Sequence, residues 1–430
     1  MEKVFVLFVI IFISITSLLV YALFYNATSS KSFNNGETTT IYQSFSEGIN
    51  TNMTNSINSF GLAVYKQIVQ QNQSNIIFSP LSLFLALSMA ARGADGQTLM
   101  QFRQAMQLPS SFGTMDSNLS AMLESLKPSN NSYILSIADS LWFDKKFNAT
   151  YRFNQSFIHI LSSFYKSSAY PVDFVGNPDG ATELINAWVA KETGNMIKNI
   201  LTPGSITPDT VAVIINAIYF FGLWQHGFDV SSTTNATFNS YTGNVTVPMM
   251  QSEMPAGYYQ NSSFQALGLA YKNSSVSMLL ILPNNSISLE NVTEMVVNAG
   301  VQNIMNKLRQ NNVFVKMPKF NFSSTFGSLI NALENLGIKD AFVPYVANFS
   351  NMYLNHTGNE TLYIYKVLQK AGIKVNESGT VAAASTVVIE HATLAAPSLS
   401  FIANRPFVFF IVDHGIILFM GQVTNPAISS

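Results

Sequence analysis

Side chains that could do chemistry are sparse in this chain of 430 residues, and their spacing assembles none of the common machinery. With no cysteine there are no thiolate nucleophiles, no thiolate metal sites and no disulfides. The five histidines, His159, His226, His356, His391 and His414, lack the i, i+4 spacing beside a glutamate that puts two zinc ligands and a base on one helix face. A Gly-x-Ser-x-Gly elbow, a Gly-x-x-x-x-Gly-Lys loop and a Gly-x-Gly-x-x-Gly turn are all missing, so hydrolase and nucleotide-enzyme readings lose their usual support. Asp413-His414 resembles an acid–base pair, but Gly415 follows it between two apolar runs, which predicts a hairpin turn. No catalytic residue, metal or cofactor is expected.

One segment does carry a mechanism. Glu377-Ser378-Gly379-Thr380-Val381-Ala382-Ala383-Ala384-Ser385-Thr386 is a run of small, mostly uncharged residues, followed by Val387-Val388-Ile389. Gly379 and the Thr and Val clusters at both ends disfavour an alanine-rich helix, and a solvated linker has no reason to carry three β-branched apolar residues. Small side chains on both faces and no proline describe a segment able to enter the middle of an existing sheet as an extra strand.

The elements around that segment read as one large α+β domain from about residue 52 to the C-terminus. Leu62, Tyr65, Ile68 and Val69 fall at helical spacing; Ser79-Pro80 opens a second helix as cap and first turn, and residues 81–91 are apolar enough to be buried all round. Helical periodicity returns at 99–106, 119–126, 153–164 and 181–200. Strands are predicted at 133–142, 211–221, 276–282, 313–320 and 407–422. No repeating βα unit, internal repeat or linker interrupts this part.

Composition bounds the setting. Hydrophobic residues make up 48% of the chain and charged residues only 10%, with 22 basic against 23 acidic. A net charge of -1 leaves no basic field for nucleic acid. Residues 4–24 are a charge-free apolar run, ~30 Å long as a helix, which suits either an uncleaved signal anchor or a removed signal peptide over residues 1–25. Both put the remainder outside the cell, tethered in the first case through the Ser/Thr/Asn-rich stretch 26–51. Asn-x-Ser/Thr occurs 18 times where 42 Asn and 77 Ser plus Thr predict about seven, so glycans are expected to solubilise the surface at sites such as Asn52, Asn118, Asn154, Asn235, Asn291, Asn348 and Asn376.

A series of motifs then appears in one order. Asn75-Ile76-Ile77-Phe78-Ser79-Pro80-Leu81-Ser82 comes first, then Asn216-Ala217-Ile218-Tyr219-Phe220 with Gly222 and Trp224, then Val247-Pro248-Met249-Met250 and Met317-Pro318-Lys319-Phe320. Leu336-Gly337-Ile338 with Asp340-Ala341-Phe342 follows, and last Phe401-Ile402-Ala403-Asn404-Arg405-Pro406-Phe407-Val408-Phe409-Phe410-Ile411. In this order they resemble the serpin family over nearly all of residues 52–430. The resemblance implies three β-sheets, about eight or nine helices and an exposed reactive-centre loop near 379–400. It also implies a suicide-substrate inhibitor: a protease acylated on the loop is dragged to the far pole as the freed hinge inserts into the large sheet. Fifteen residues at about 3.3 Å each reach roughly 50 Å, most of the length of such a domain.

The same resemblance assigns roles. The hinge comprises Glu377, Gly379, Thr380, Ala382, Ala383, Ala384 and Thr386, and counting from Gly379 puts the scissile bond at Thr393-Leu394. Ser79, Ser82 and Asn216 belong to the polar cluster where the strands part, with Trp224 where the hinge first enters and Gln369 in place of the family's frequent histidine. Between Glu377 and Asn404 there is no Lys or Arg, so subtilisin-, elastase- or chymotrypsin-like proteases are the expected partners and trypsin-like ones are not. Alternation places Glu390 on the inward face of an inserted strand, where an ionised carboxylate costs free energy, and a glycan on Asn376 would abut the hinge. These two features keep open a non-inhibitory carrier, chaperone or adhesion module. Residues 119–127 offer Lys127 as their one cation, so no heparin site is expected, and the protein is expected to be a monomer.

Overall fold

The computed structural model describes residues 50–70, 73–128, 133–355, 362–380 and 399–428. The expected signal peptide or anchor of residues 1–25, nearly all of the expected 26–51 tether, hinge residues Ala382, Ala383, Ala384 and Thr386, Glu390 and the Thr393-Leu394 bond lie outside the described residues. Among the described residues no helix is long and apolar enough to cross a membrane.

The first half runs α1 (Thr51–Val69), β1 (Ile76–Phe78), α2 (Pro80–Gly93), α3 (Gly96–Met106), α4 (Phe112–Ser125), β2 (Tyr133–Asp144), α5 (Lys145–Tyr151), α6 (Gln155–Ile160), β3 (Ser168–Val172), α7 (Pro178–Glu192) and β4 (Ala212–Leu223). The second runs β5 (Thr234–Ser240), β6 (Gly243–Gln260), β7 (Phe264–Ala270), β8 (Ser277–Pro283), α8 (Leu289–Ala299), α9 (Val301–Met305), β9 (Arg309–Pro318), β10 (Phe320–Phe326) and α10 (Ile330–Asn335). It closes with β11 (Lys366–Asn376), β12 (Gly379–Thr380), β13 (Leu399–Ile402), β14 (Phe407–Asp413) and β15 (Ile416–Val423).

The strands form a six-stranded sheet in the order β10-β11-β12-β4-β2-β3 and a nine-stranded network in the order β1-β15-β14-β8-β7-β6-β9-β13, with β5 on β6. Two of the expected sheets run into one another along β6, whose 18 residues pair successively with β5, β9 and β7. Between the six-stranded sheet and the β14–β15 hairpin lies α2. Ser79 caps it by accepting from the Ser82 N–H, Pro80 fills the first turn without needing a partner, and every residue but Arg92 is buried. A second apolar layer, with Trp142, Ile185, Val189, Val213, Ile215 and Leu368, seats α7 on the opposite face of the six-stranded sheet.

Three expectations about elements are corrected. The helix expected over 181–200 ends at Glu192, because Gly194 and Asn195 take positive φ (59° and 65°), which ends an α-helix. The one expected over 153–164 begins at Gln155 and loosens into a π-turn at Leu161–Tyr165. The strand expected over 313–320 is two: Arg309–Pro318 belongs to the larger network and Phe320–Phe326 to the six-stranded sheet, the chain crossing over after Pro318, which has no N–H for a ladder. The Asp413-His414-Gly415 turn joins β14 to β15, with φ of 47° at His414 and 82° at Gly415.

Candidate functional site: a parted sheet and its latch

The functional feature is a slot in the six-stranded sheet. β4 and β11 pair in parallel from Val213–Lys366 up to Ile218–Ala371, and above that they separate. β12 fills the top of the gap, antiparallel to both: Gly379 and Thr380 face Leu223 and Gly222 on one side, Asn376 and Val375 on the other. Between the ladder and this two-residue plug lies a cavity of about 350 Å³, lined among others by Tyr219, Phe220, Gly372, Ile373 and Phe322.

The plug is held by its root. Trp224 donates from its backbone N–H to the Ser378 carbonyl (2.9 Å) and from Nε1 to the Asn376 carbonyl (3.0 Å), while its ring stacks on Tyr271 at 4.7 Å between centroids. The Tyr271 and Thr380 hydroxyls share a hydrogen bond of 2.6 Å, with Thr380 1% exposed. Glu377 Oε1 accepts from Lys319 Nζ (3.0 Å) and Thr233 Oγ1 (2.9 Å). Burial works to raise the Glu377 pKa, but its backbone hydrogen bond, Lys319 and Thr233 together hold it below the usual glutamate value. Asn376 Oδ1 accepts from the Ser378 and Gly379 N–H groups and so shapes the turn. Gly379, at φ 154°, lies so close to β4 that an added Cβ would sit 2.2 Å from the Gly222 carbonyl oxygen.

Below the slot a buried polar cluster ties the two strands to α2. The Ser79 N–H donates to Gln369 Oε1 (2.9 Å), Gln369 Nε2 returns a bond to the Ser79 carbonyl (3.0 Å) and another to Asn216 Oδ1, and Ser79 Oγ donates to the Leu418 carbonyl (2.7 Å). Ser82 Oγ donates to Asp139 Oδ1 (3.0 Å), and Asn216 Nδ2 donates to both Ser82 Oγ and Asp139 Oδ1. The structure therefore brings Ser79, Ser82, Asn216 and Gln369 together, all with no exposed surface, and places Trp224 at the plug instead.

Asp139 is a member of this cluster that the sequence reading missed. Its signal was present: it is the one acidic residue in the inward alternation Tyr133, Leu135, Ile137, Asp139, Leu141, Phe143. Burial pushes its pKa up to about 8, against the hydrogen bonds from Ser82 and Asn216.

Elsewhere the chemistry is structural. Asp413 Oδ1 bonds His414 Nδ1 (2.8 Å) and raises the His414 pKa, but Ser275 Oγ reaches that same ring nitrogen at 3.5 Å, so the three form no proton relay. Among the described residues no three His, Asp or Glu side chains are grouped to hold a metal ion. Of the seven sequon asparagines singled out, Asn52, Asn235 and Asn291 are exposed and Asn118, Asn154, Asn348 and Asn376 partly so.

Comparison with known proteins decides what this slot belongs to. The family model described as Serpin (serine protease inhibitor) matches residues 55–426. The chain belongs to the serpin family. A serpin-like protein of Thermococcus kodakarensis is 36% identical over 396 residues, 90% of this chain and 89% of that one. Plasminogen activator inhibitor 1 of Sus scrofa is 32% identical, over 85% of this chain and 91% of that one. The structure of an Arabidopsis serpin in its native stressed conformation superposes with a TM-score of 0.78 at 28% identity, covering 88% of this chain and 100% of that one. Members of the serpin family are mostly protease inhibitors rather than enzymes, and they bind the proteases they inhibit.

Proposed function

We propose that this serpin is an extracellular suicide-substrate inhibitor of subtilisin-, elastase- or chymotrypsin-like serine endopeptidases. The observation that carries the reading is the slot with Gly379 and Thr380 already seated at its top, continuous in sequence with the small residues 381–386. The protease serine oxygen attacks the carbonyl of Thr393, the Thr393–Leu394 C–N bond breaks, and the serine proton leaves on the Leu394 amine. The freed strand zips down between β4 and β11. Were the strand to continue in the β12 register, Thr386 would come between Asn216 and Gln369, and its hydroxyl would take up bonds that those two lose to each other.

The register also bears on Glu390. It comes level with buried Ala212 and half-buried Tyr365, one step beyond the last rung of the β4–β11 ladder, so its carboxylate enters only at the end of insertion, where burying it costs free energy. The N-terminal run supports secretion or tethering to the outer face of the membrane, and the sequons support a glycosylated surface.

The test is to mix residues 26–430 with a subtilisin-, an elastase-, a chymotrypsin- and a trypsin-like protease and look for a complex that survives boiling in detergent. A covalent band with one or more of the first three and none with the fourth, cut at Thr393-Leu394, is the expected outcome. Clean loop cleavage with no covalent band by any protease would sink the proposal.

A further inference from the structure

We propose that the exposed apolar loop 343–346 is the seat against which the acyl-linked protease is held once the loop has inserted; this rests on the inhibitory reading above. Each residue after Thr380 steps one position down β4 and one down β11, so Ile389 falls between Val213 and Lys366, the last rung of their ladder. Thr393, which carries the acyl bond, then lies about 13 Å further, at roughly 3.3 Å per residue. The place where the protease comes to rest is thereby fixed to the lower mouth of the slot.

At that mouth the surface is hollow. Asp209, Thr210 and Val211, leading into β4, and Tyr363, leading into β11, line a cavity of about 460 Å³ together with Pro344 and Tyr345, and the charged Asp144 and Lys146 share its wall. Beside it Val343, Tyr345 and Val346 are 39%, 76% and 52% exposed, an uncharged cluster on a chain otherwise solubilised by polar residues. Tyr345 stands at φ 64°, a backbone conformation that bulky residues rarely adopt. A strained backbone that displays an aromatic ring to solvent suits a contact surface better than a core, and tyrosine is favoured at the centres of interfaces.

The test reads association and release separately. Wild type, Tyr345→Gly, Val346→Ser and Ile134→Ser are reacted with the protease that forms the covalent band. Glycine accepts positive φ, so Tyr345→Gly keeps the loop backbone, and Ile134, exposed near the opposite end of the sheet beside Phe221, is the control. Association rates are expected to agree within about twofold, while active protease escapes from purified Tyr345→Gly complexes about tenfold faster, as for loss of one aromatic contact. Val346→Ser shifts release in the same direction and Ile134→Ser leaves it unchanged. Unchanged release in both loop variants overturns the seat and leaves inhibition standing. A wild type that forms no covalent complex overturns both. A wild-type dimer dispersed by Tyr345→Gly assigns the loop to a second copy and also overturns the proposal.

Discussion

Asp139 makes the base of the parted sheet sensitive to pH. Its pKa in the folded protein, about 8, lies above its ordinary value of 3.8, so the folded state holds a proton that the unfolded chain releases between those two values. Stability contributed by this group is therefore full below about pH 4, falls as pH rises, and is lost above about pH 8. Asp139→Asn keeps the acceptor for Ser82 and Asn216 without the charge. Its thermal midpoint should match wild type near pH 3 and exceed it increasingly toward pH 8, measured at one scan rate. A constant difference across that range would refute the assignment. With uncharged Gln369 beside it and Asp139 as its titrating member, the cluster tightens in acid. Glu377 behaves in the opposite sense: its lowered pKa gives stability present above about 4.5 and lost as pH falls through the folded value. Glu377→Gln should cost about 1 kcal/mol at pH 7, discounted because Lys319 is partly exposed, and progressively less as pH falls below about 4.5, read from denaturant midpoints.

At the scale of the element, the inhibitory reading makes the two-residue β12 the point where insertion starts. Thr380 is buried against Tyr271, and its place between β4 and β11 leaves no water to solvate a charge. Thr380→Arg should convert the protein from inhibitor to substrate, with loop cleavage retained and the detergent-stable complex lost by at least about tenfold, a modest outcome for burying one unpaired charge. Gel analysis of the products checks it. That Thr380 faces inward followed from strand alternation alone. That it already sits in the sheet did not, because pairing depends on where β4 and β11 diverge, and nothing local in the sequence says that their ladder stops at Ile218–Ala371. The π-turn at Leu161–Tyr165 was hidden for a similar reason: its residues keep an apolar helical spacing, and packing, not propensity, widens the turn.

For the whole molecule, the inhibitory reading implies that the parted sheet is not its most stable arrangement. A full central strand would replace the cavity of about 350 Å³ with ladder hydrogen bonds and packed side chains. Cleaving the loop while leaving the rest intact should therefore raise the thermal midpoint by tens of degrees, as measured by calorimetry on cut and uncut protein. An unchanged midpoint would mean that the hinge does not insert.

By itself the sequence determined what depends on residue type and near neighbours: the capped and fully apolar α2, the small uncharged hinge, the lack of any cation in the loop, the polar identities of Ser79, Ser82, Asn216 and Gln369, and the family itself through motifs kept in order. The tertiary structure alone decided what depends on distant segments meeting. Asp139 joins the cluster because β2 lies antiparallel to β4 in a register that sets it opposite Asn216. Lys319 and Thr233 meet on Glu377 from positions 58 and 144 residues away in the chain. The apolar loop 343–346 acquires meaning only when the register of β12 shows where an inserted strand would end. Local propensity reaches a few residues, whereas register is set by the summed packing of a sheet, and it is register that converts this sequence into a slot with a top, a latch and a floor.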